Sequence, residues 1–325
     1  MMSRVVLLVL AQWSACSWVQ VASSGFADTV HMKIANGTVA NITDHPFRVA
    51  IISEYRYLGS GHLARHCSGS ILSEWWVITA AHCTSKSDGT TGLFEDSRRL
   101  VLMAGTTNIS QTDDDLAILD SEFGRKHIRR AHFSLIHPNY SMEISRIYKR
   151  YHLVHNDIAL LKLAEPLTLD GTNVSAISLP RDGEDVQLGQ EYTVAAWGRT
   201  GLGRLPPVLM ETKLRVYSTT FQLNPGFFPD VSYFDLPGKK ICSKQPNTGT
   251  LPGDSGAGVV GHRVTGHNGS EPVLFGVVSE GEEVVKNGIR FYISFETRVS
   301  FFLDWLHSMM DQWATNMPPG IQTYP

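Results

Sequence analysis

Three residues of this chain have types and neighbours that could make and break an acyl bond together. They are Ser255 within Gly253-Asp254-Ser255-Gly256, His82 within Thr79-Ala80-Ala81-His82-Cys83, and Asp157 within Asn156-Asp157-Ile158-Ala159-Leu160-Leu161. A serine hydroxyl is a weak nucleophile at neutral pH and needs a base to take its proton; imidazole titrates in the right range. His82 is the candidate base. Its second ring nitrogen needs an acceptor that fixes the tautomer and stabilises the imidazolium, as a buried carboxylate does. Asp157 fits, because it opens the apolar run 158–163, the pattern of a buried strand. The glycines around Asp254-Ser255 allow a tight turn, which brings the N–H groups of Gly253 and Ser255 to one point as an oxyanion hole. Singly, each piece has a plainer reading. Gly-Asp-Ser-Gly is a common turn, a histidine beside a cysteine is a core residue or a zinc ligand, and Asn-Asp leads many strands. Jointly they favour nucleophilic acyl transfer.

The elements that must hold these residues are short. Strand-like runs at 48–52, 70–72, 76–79, 100–103, 192–196, 274–278 and 289–295 are separated by Gly, Pro, Asn and Asp, the signature of an all-β chain. One amphipathic helix is expected over 299–313, with Phe302, Leu303, Leu306, Met309 and Met310 forming a core-packing face. The expected organisation is a signal peptide over 1–24, a short propeptide over 25–33, one catalytic domain over 34–312 and a disordered tail over 313–325. The leader reading rests on Arg4, the apolar stretches 5–11 and 15–21 and the small residues that follow, too short together for a membrane span. Secretion to the extracellular space follows as an expectation. With 28 Lys and Arg against 31 Asp and Glu, a net charge of −3 gives no reason to expect nucleic acid or a membrane as partner. Sequons at Asn41, Asn108, Asn139, Asn173 and Asn268 are glycosylation candidates, as is Asn36. No cofactor motif is present. Asp113-Asp114-Asp115 reads as a solvated loop, so no metal is expected.

The three motifs, in the chain order His82, Asp157, Ser255, resemble those of the trypsin/chymotrypsin family of secreted serine endopeptidases, and the resemblance runs from about Ile34 to about Met310. It implies two packed six-stranded antiparallel β-barrels with the three residues in the cleft between them. It also implies protein or peptide substrates, an activating protease and protein inhibitors as partners. Lys33-Ile34 looks like the family's activation junction. Cutting there would free the Ile34 amine, which would pair with Asp254 and order the oxyanion hole; Asn36 would then have to stay unglycosylated. The resemblance pairs Cys67 with Cys83. Cys16 leaves with the leader, and Cys242 is then odd among the four cysteines, with a buried free thiol expected over an intermolecular bridge.

The family match also places the substrate pocket, and here the chain departs from its relatives. Gly249 stands at the pocket floor, where trypsin-like members carry an aspartate, so an apolar or medium-sized residue is expected at the primary position. Ser279 matches the family serine that hydrogen-bonds the aspartate and begins the substrate-pairing strand. Glu280 follows where the family usually has Trp, and Gly281 keeps the pocket entrance open. Glu280, Glu282 and Glu283 are either a solvated loop or a selector of basic residues near the scissile bond. A second function class remains open at this point, a non-catalytic homologue that binds a protein partner through the same cleft.

Overall fold

In a computed structural model of the chain, the described residues are 35, 37–57, 60–84, 99–109, 127–144, 152–198, 207–219, 238–266 and 269–314. Lys33, Ile34, Asn36, Asn268 and the acidic run Asp113-Asp114-Asp115 lie outside them, as do the expected leader and most of the tail.

The strands in chain order are β1 (Thr38–Val39), β2 (Arg48–Tyr57), β3 (Ser60–Ile71), β4 (Trp76–Thr79), β5 (Leu100–Ala104), β6 (Ile128–Ile136), β7 (Ser141–Ile144) and β8 (His152–His155). They continue with β9 (Ala159–Leu163), β10 (Glu191–Ala196), β11 (Met210–Ser218), β12 (Lys240–Pro246), β13 (Gly258–Thr265), β14 (Gly269–Lys286) and β15 (Ile289–Arg298). Six of them close a barrel in the order β2-β3-β4-β9-β6-β5. A second sheet runs β1-β11-β10-β13-β14-β15-β12, and a further β11–β12 pairing turns six of its strands into a ring. The expected pair of six-stranded antiparallel barrels is therefore present, with β1 added at one edge.

Period-two alternation explains how these strands join two cores at once. On β2, Val49 and Ile51 point into the first core, while Ala50 and Ile52 point into a separate cluster. On β5, Leu100, Leu102 and Ala104 go to the first core, and Val101 and Met103 go with Ala50 and Ile52. That separate cluster also contains Ala195, Trp197 and Leu209, whereas Val194 and Ala196 on β10 turn into the third core, which lies in the second sheet. The interface between the two bodies is thus built from the opposite faces of strands that each line their own barrel. This is why β5 reads as continuously apolar and is buried at every position.

The expected helix is present in two pieces. A 3-10 turn spans Val299–Phe302, and the α-helix α1 spans Leu303–Gln312. Val299, Phe302, Leu303 and Leu306 are buried in the core of the first barrel, with Met309, Met310 and Trp313 packed against it. The helix that follows the second sheet thus packs back onto the first barrel. Among the described residues no helix is long and apolar enough to cross a membrane.

Two cysteine expectations separate here. Cys67 and Cys83 form a disulfide with Cα atoms 6.0 Å apart. Cys242, buried on β12 against Ile293, is not a free thiol as expected but is disulfide-bonded, and its partner lies outside the described residues.

Candidate active site

His82 sits in the 3-10 turn Ala81–Cys83 that follows β4, tied to β3 by the Cys67–Cys83 bond. Asp157 follows Asn156, whose backbone adopts φ of 48°, a left-handed conformation that asparagine tolerates better than most residues. Asn156 holds that bend by donating from Nδ2 to the Asn139 carbonyl at 2.7 Å and accepting from Lys239 Nζ at 2.9 Å. The strand-leading turn expected at Asn-Asp is present, and it aims the Asp157 carboxylate at His82.

That carboxylate is completely buried and satisfied on every side. His82 Nδ1 stands 2.7 Å from Oδ2, the His82 backbone N–H donates to Oδ1 at 2.9 Å, and Ser279 Oγ donates to Oδ2 at 2.5 Å. Thr297 Oγ1 also holds the Asp157 backbone carbonyl at 2.8 Å, a contact invisible in the sequence because β15 lies 140 residues away. Burial alone would raise the Asp157 carboxyl, but His82 and the Ser279 hydroxyl outweigh it and hold it below the usual carboxylate range. Burial pulls the His82 imidazole down, while Asp157 and, more weakly, Glu280 bring it to a net position above its ordinary value.

Ser255 is brought to this pair by close backbone contact. Its carbonyl accepts from the Ser68 N–H at 2.8 Å, and Ser68 adjoins the disulfide cysteine Cys67. Gly256, at φ of 80°, packs so tightly that a Cβ there would lie 2.2 Å from both the Ser68 carbonyl oxygen and Thr79 Oγ1. No side chain fits, and the serine loop is thereby seated against the residues that lead into His82. His82 Nε2 has Cys83 Sγ at 3.8 Å and, among the described residues, no hydrogen bond to Ser255 Oγ. Such contacts commonly tighten only when substrate is bound. The sulfurs of Cys67 and Cys83 approach His82 closely enough to suggest a metal cluster. A disulfide sulfur is not a thiolate ligand, so the zinc reading of His82-Cys83 does not fit.

Gly253, at φ of 99°, and Ser255 flank Asp254, the fully buried residue whose carboxyl organises this loop. It accepts from the Leu251 N–H at 2.7 Å and from the Gly198 N–H at 3.0 Å. Gly198 has to be glycine, since a Cβ would come within 2.1 Å of Asp254 Oδ1. Among the described residues no cation pairs with Asp254, and burial pushes its carboxyl up to about 7 despite the two amide bonds. A carboxyl raised in the folded state contributes stability that is full below its unfolded value, near 3.8, and lost as pH rises to about 7. In thermal melts of the intact chain, Asp254→Asn should therefore gain on the wild type steadily between about pH 4 and 7; a constant difference would show that Asp254 is already ionised.

The residues expected to pair with substrate lie on β14, where Ser279 is buried, Glu280 partly exposed and Gly281 exposed. Glu280 pairs closely with Lys240 Nζ, a lysine that is itself nearly buried on β12 and lies over the Phe295 ring. Neither a solvated loop nor a free selector describes Glu280, which is anchored. Gly249, the expected pocket floor, is buried against Tyr292. The sequence reading missed Lys240, and it also missed Arg48, which is fully buried and donates to Ser70 Oγ at 3.1 Å and to the Gly258 carbonyl. Gly258 leaves the room for that guanidinium, because a Cβ there would lie 2.7 Å from Nη1. A lone arginine inside the apolar run 47–52 was the signal available. Of the sequons, Asn41, Asn108 and Asn139 are exposed and Asn173 is partly exposed.

Two antiparallel barrels with this histidine, aspartate and serine loop at their junction define a class, and comparison with known proteins agrees. The family model described as Trypsin matches residues 34–306, and the chain belongs to that family of serine proteases. It is similar to coagulation factor IX of Oryctolagus cuniculus, with 30% identity over 284 residues, covering 84% of this chain and 83% of that protein. It is similar to vitamin K-dependent protein C of Rattus norvegicus, 28% identical over 295 residues, covering 86% of this chain and 52% of the relative. Ovochymase-2 of Mus musculus matches at 30% identity over 185 residues, 57% of this chain and 25% of its own length. Against the protein C relative the chain spans about half the length.

Proposed function

We propose that this chain is a secreted serine endopeptidase made as a zymogen. The observation that carries the reading is the continuous hydrogen-bonded line from Ser279 through Asp157 to His82, with the Ser255 loop seated against the residues preceding His82. Ser255 Oγ attacks the scissile carbonyl carbon while its proton passes to His82 Nε2. The C–O bond forms, and the tetrahedral oxyanion is held by the N–H groups of Gly253 and Ser255. Collapse breaks the C–N bond, the His82 proton goes to the departing amine, and water attacks the acyl-enzyme by the same route in reverse. Asp157 keeps Nδ1–H pointed correctly and offsets the imidazolium charge.

The substrate backbone pairs with β14 at Ser279 to Gly281, and Gly249, with no carboxylate, favours an apolar or medium-sized residue on the acyl side of the cut. Substrates are proteins or peptides, an activating protease supplies the first cut, and protein inhibitors compete for the cleft. Asn41, Asn108, Asn139, Asn173 and Asn268 are the proposed glycan sites.

Activation would follow cleavage after Lys33. The new Ile34 ammonium would meet Asp254, the buried carboxyl without a cation among the described residues; Ala35, the next residue, is already buried. An ammonium beside it reverses the cause of its raised pKa and ionises it. In the cut protein, Asp254→Asn should leave the fold intact and lower turnover by at least about 10²–10³, the worth of an oxyanion-hole donor. Cleavage after Lys33 that changes neither activity nor the environment of the new terminus would end the zymogen reading.

A further inference from the structure

The chain leaving Ser255 is held by both bodies in turn. The Ser255 carbonyl accepts from the Ser68 N–H on β3 at 2.8 Å. The next two residues belong to the second sheet, since the Gly256 N–H donates to the Val278 carbonyl and the Ala257 carbonyl accepts from the Val278 N–H, each at 2.8 Å. Gly258 then returns to the first barrel, where its carbonyl accepts from Arg48 Nη2. Residues 255–258 are therefore bound at their outer ends to the barrel that carries His82 and at their middle to β14.

Arg48 is a costly group to place there. Alternation on β2 sends Val49 and Ile51 into the first core and Arg48, Ala50 and Ile52 to the opposite face, the one that meets the second sheet. The side chain is completely buried, with Cζ 5.2 Å from the centroid of the Phe47 ring. Its guanidinium has only neutral acceptors, Ser70 Oγ at 3.1 Å from Nη1 and the Gly258 carbonyl; among the described residues no carboxylate pairs with it, and Nε has no hydrogen-bond partner. Burial lowers its pKa to about 9, so it is still a cation at neutral pH. A charge buried without a counter-ion is expensive, and an apolar side chain of similar volume would serve stability as well or better. What an apolar side chain cannot do is hold a carbonyl, whereas a planar guanidinium reaches two acceptors in fixed directions. Ser70 orients that fork. Arg48 and Ser70 are register partners across β2 and β3, and Ser70 lies two residues from Ser68, the other anchor of the serine segment. Gly258 is fitted to it, because a Cβ there would lie 2.7 Å from both Arg48 Nη1 and Ser70 Oγ.

We propose that Arg48 is a positioning residue that clips the strand leaving Ser255 onto the barrel carrying His82, and so holds the nucleophile at working distance from its base. The proposal rests on the endopeptidase reading and adds to it a residue that touches neither substrate nor the reacting atoms. The contacts nearest the serine are weaker in kind. The Ser255 carbonyl has one neutral hydrogen bond, and the fit of Gly256 against the Ser68 carbonyl and Thr79 Oγ1 limits approach without exerting attraction. The charge-assisted bond at Gly258, three residues on, supplies the attraction. Without it, residues 256–258 are left to follow Val278 and the second sheet.

The test replaces Arg48 by methionine and reads stability, chemistry and local opening separately. In protein cut after Lys33, Arg48→Met should keep the melting temperature or raise it and leave KM little altered, as an apolar group in that volume allows. Per folded molecule it should lower both kcat and the rate of fluorophosphonate labelling of Ser255 by about 10², the cost of misplacing reacting groups by about 1 Å. Arg48→Lys keeps the charge without the fork and should fall between the two. In the intact chain, where no turnover is needed, hydrogen exchange at the Ser68 N–H should quicken in Arg48→Met by at least about tenfold while the amides of β5 are unchanged. Ser70→Ala removes only the hydroxyl that orients the guanidinium and should move labelling and exchange in the same direction by less; it carries the test if the methionine variant fails to fold. Wild-type kcat and labelling rate per folded molecule, or unchanged exchange at Ser68, overturns the proposal. A wild type that neither cleaves nor takes the label ends the endopeptidase reading instead, and exchange at Ser68 then decides by itself whether Arg48 clips the strand.

Discussion

Replacing Ser255 by alanine is expected to lower turnover by on the order of 10⁶ while leaving the fold unchanged. The substitution removes one oxygen from a loop whose shape is set elsewhere. Gly256 against Ser68 and Thr79, the Ser68 N–H on the Ser255 carbonyl, and the Asp254 carboxyl on the Leu251 and Gly198 amides all persist without the hydroxyl. Binding of peptide should therefore survive where chemistry does not, seen as loss of kcat with KM little altered. The matching observation is covalent: the cut wild type should take a fluorophosphonate label on Ser255, located by peptide mapping. A cut, folded protein that takes no label would mean that the cleft binds partners without cleaving them.

Replacing Asp157 by asparagine is expected to cost about 10⁴ in turnover. The side chain is isosteric, so the two donors from His82 and the one from Ser279 still find a neighbour, but an amide has only one acceptor oxygen. Either the His82 backbone N–H or its ring loses its acceptor, and the imidazole can settle in the tautomer that presents Nε2–H to the serine. The charge effect has a definite sign. Asp157 is what lifts the His82 imidazole above its ordinary value against the pull of burial, so its removal moves His82 titration to lower pH. Since the base form of His82 is the working form, the acidic limb of the activity profile in the wild type should lie above the ordinary histidine range and fall in the variant. NMR titration of the imidazole in the Asp157→Asn protein checks the shift independently of the lost activity. An unmoved titration would place the cause of the raised value elsewhere, with Glu280 next in line.

Asp254 and Glu296, two further buried carboxyls, behave differently from Asp157, and the contrast is physical. Asp157 has an imidazole, a hydroxyl and an amide directed at it, and Asp254 has only two amides. Burial pushes Glu296 up to about 7 as well, against the Ser243 and Ser294 hydroxyls and the nearby Lys240 charge. The first is held charged, whereas burial keeps the other two protonated to higher pH. In the proposed activation scheme the Ile34 ammonium would become the partner of Asp254.

What the sequence alone determined is the family and the architecture, because both are written in local patterns. Gly253-Asp254-Ser255-Gly256 specifies its own turn, Asn156 its own bend, and alternating or continuous apolar runs announce strands that pack one face or two. The family follows from such motifs in order, and so does the Cys67–Cys83 pairing. Everything that depends on two distant segments meeting face to face was decided by tertiary structure. Thr250 carries no signal within its own segment, yet its hydroxyl is tied to a serine 44 residues away. Glu280 looks solvated until Lys240 is found beneath it, and Glu296 looks like one more strand residue until its face is known. Side-chain identity is a local property, whereas partnership is set by the register and closure of the second ring of strands, and no pattern within a single strand encodes which residue of another will stand across from it.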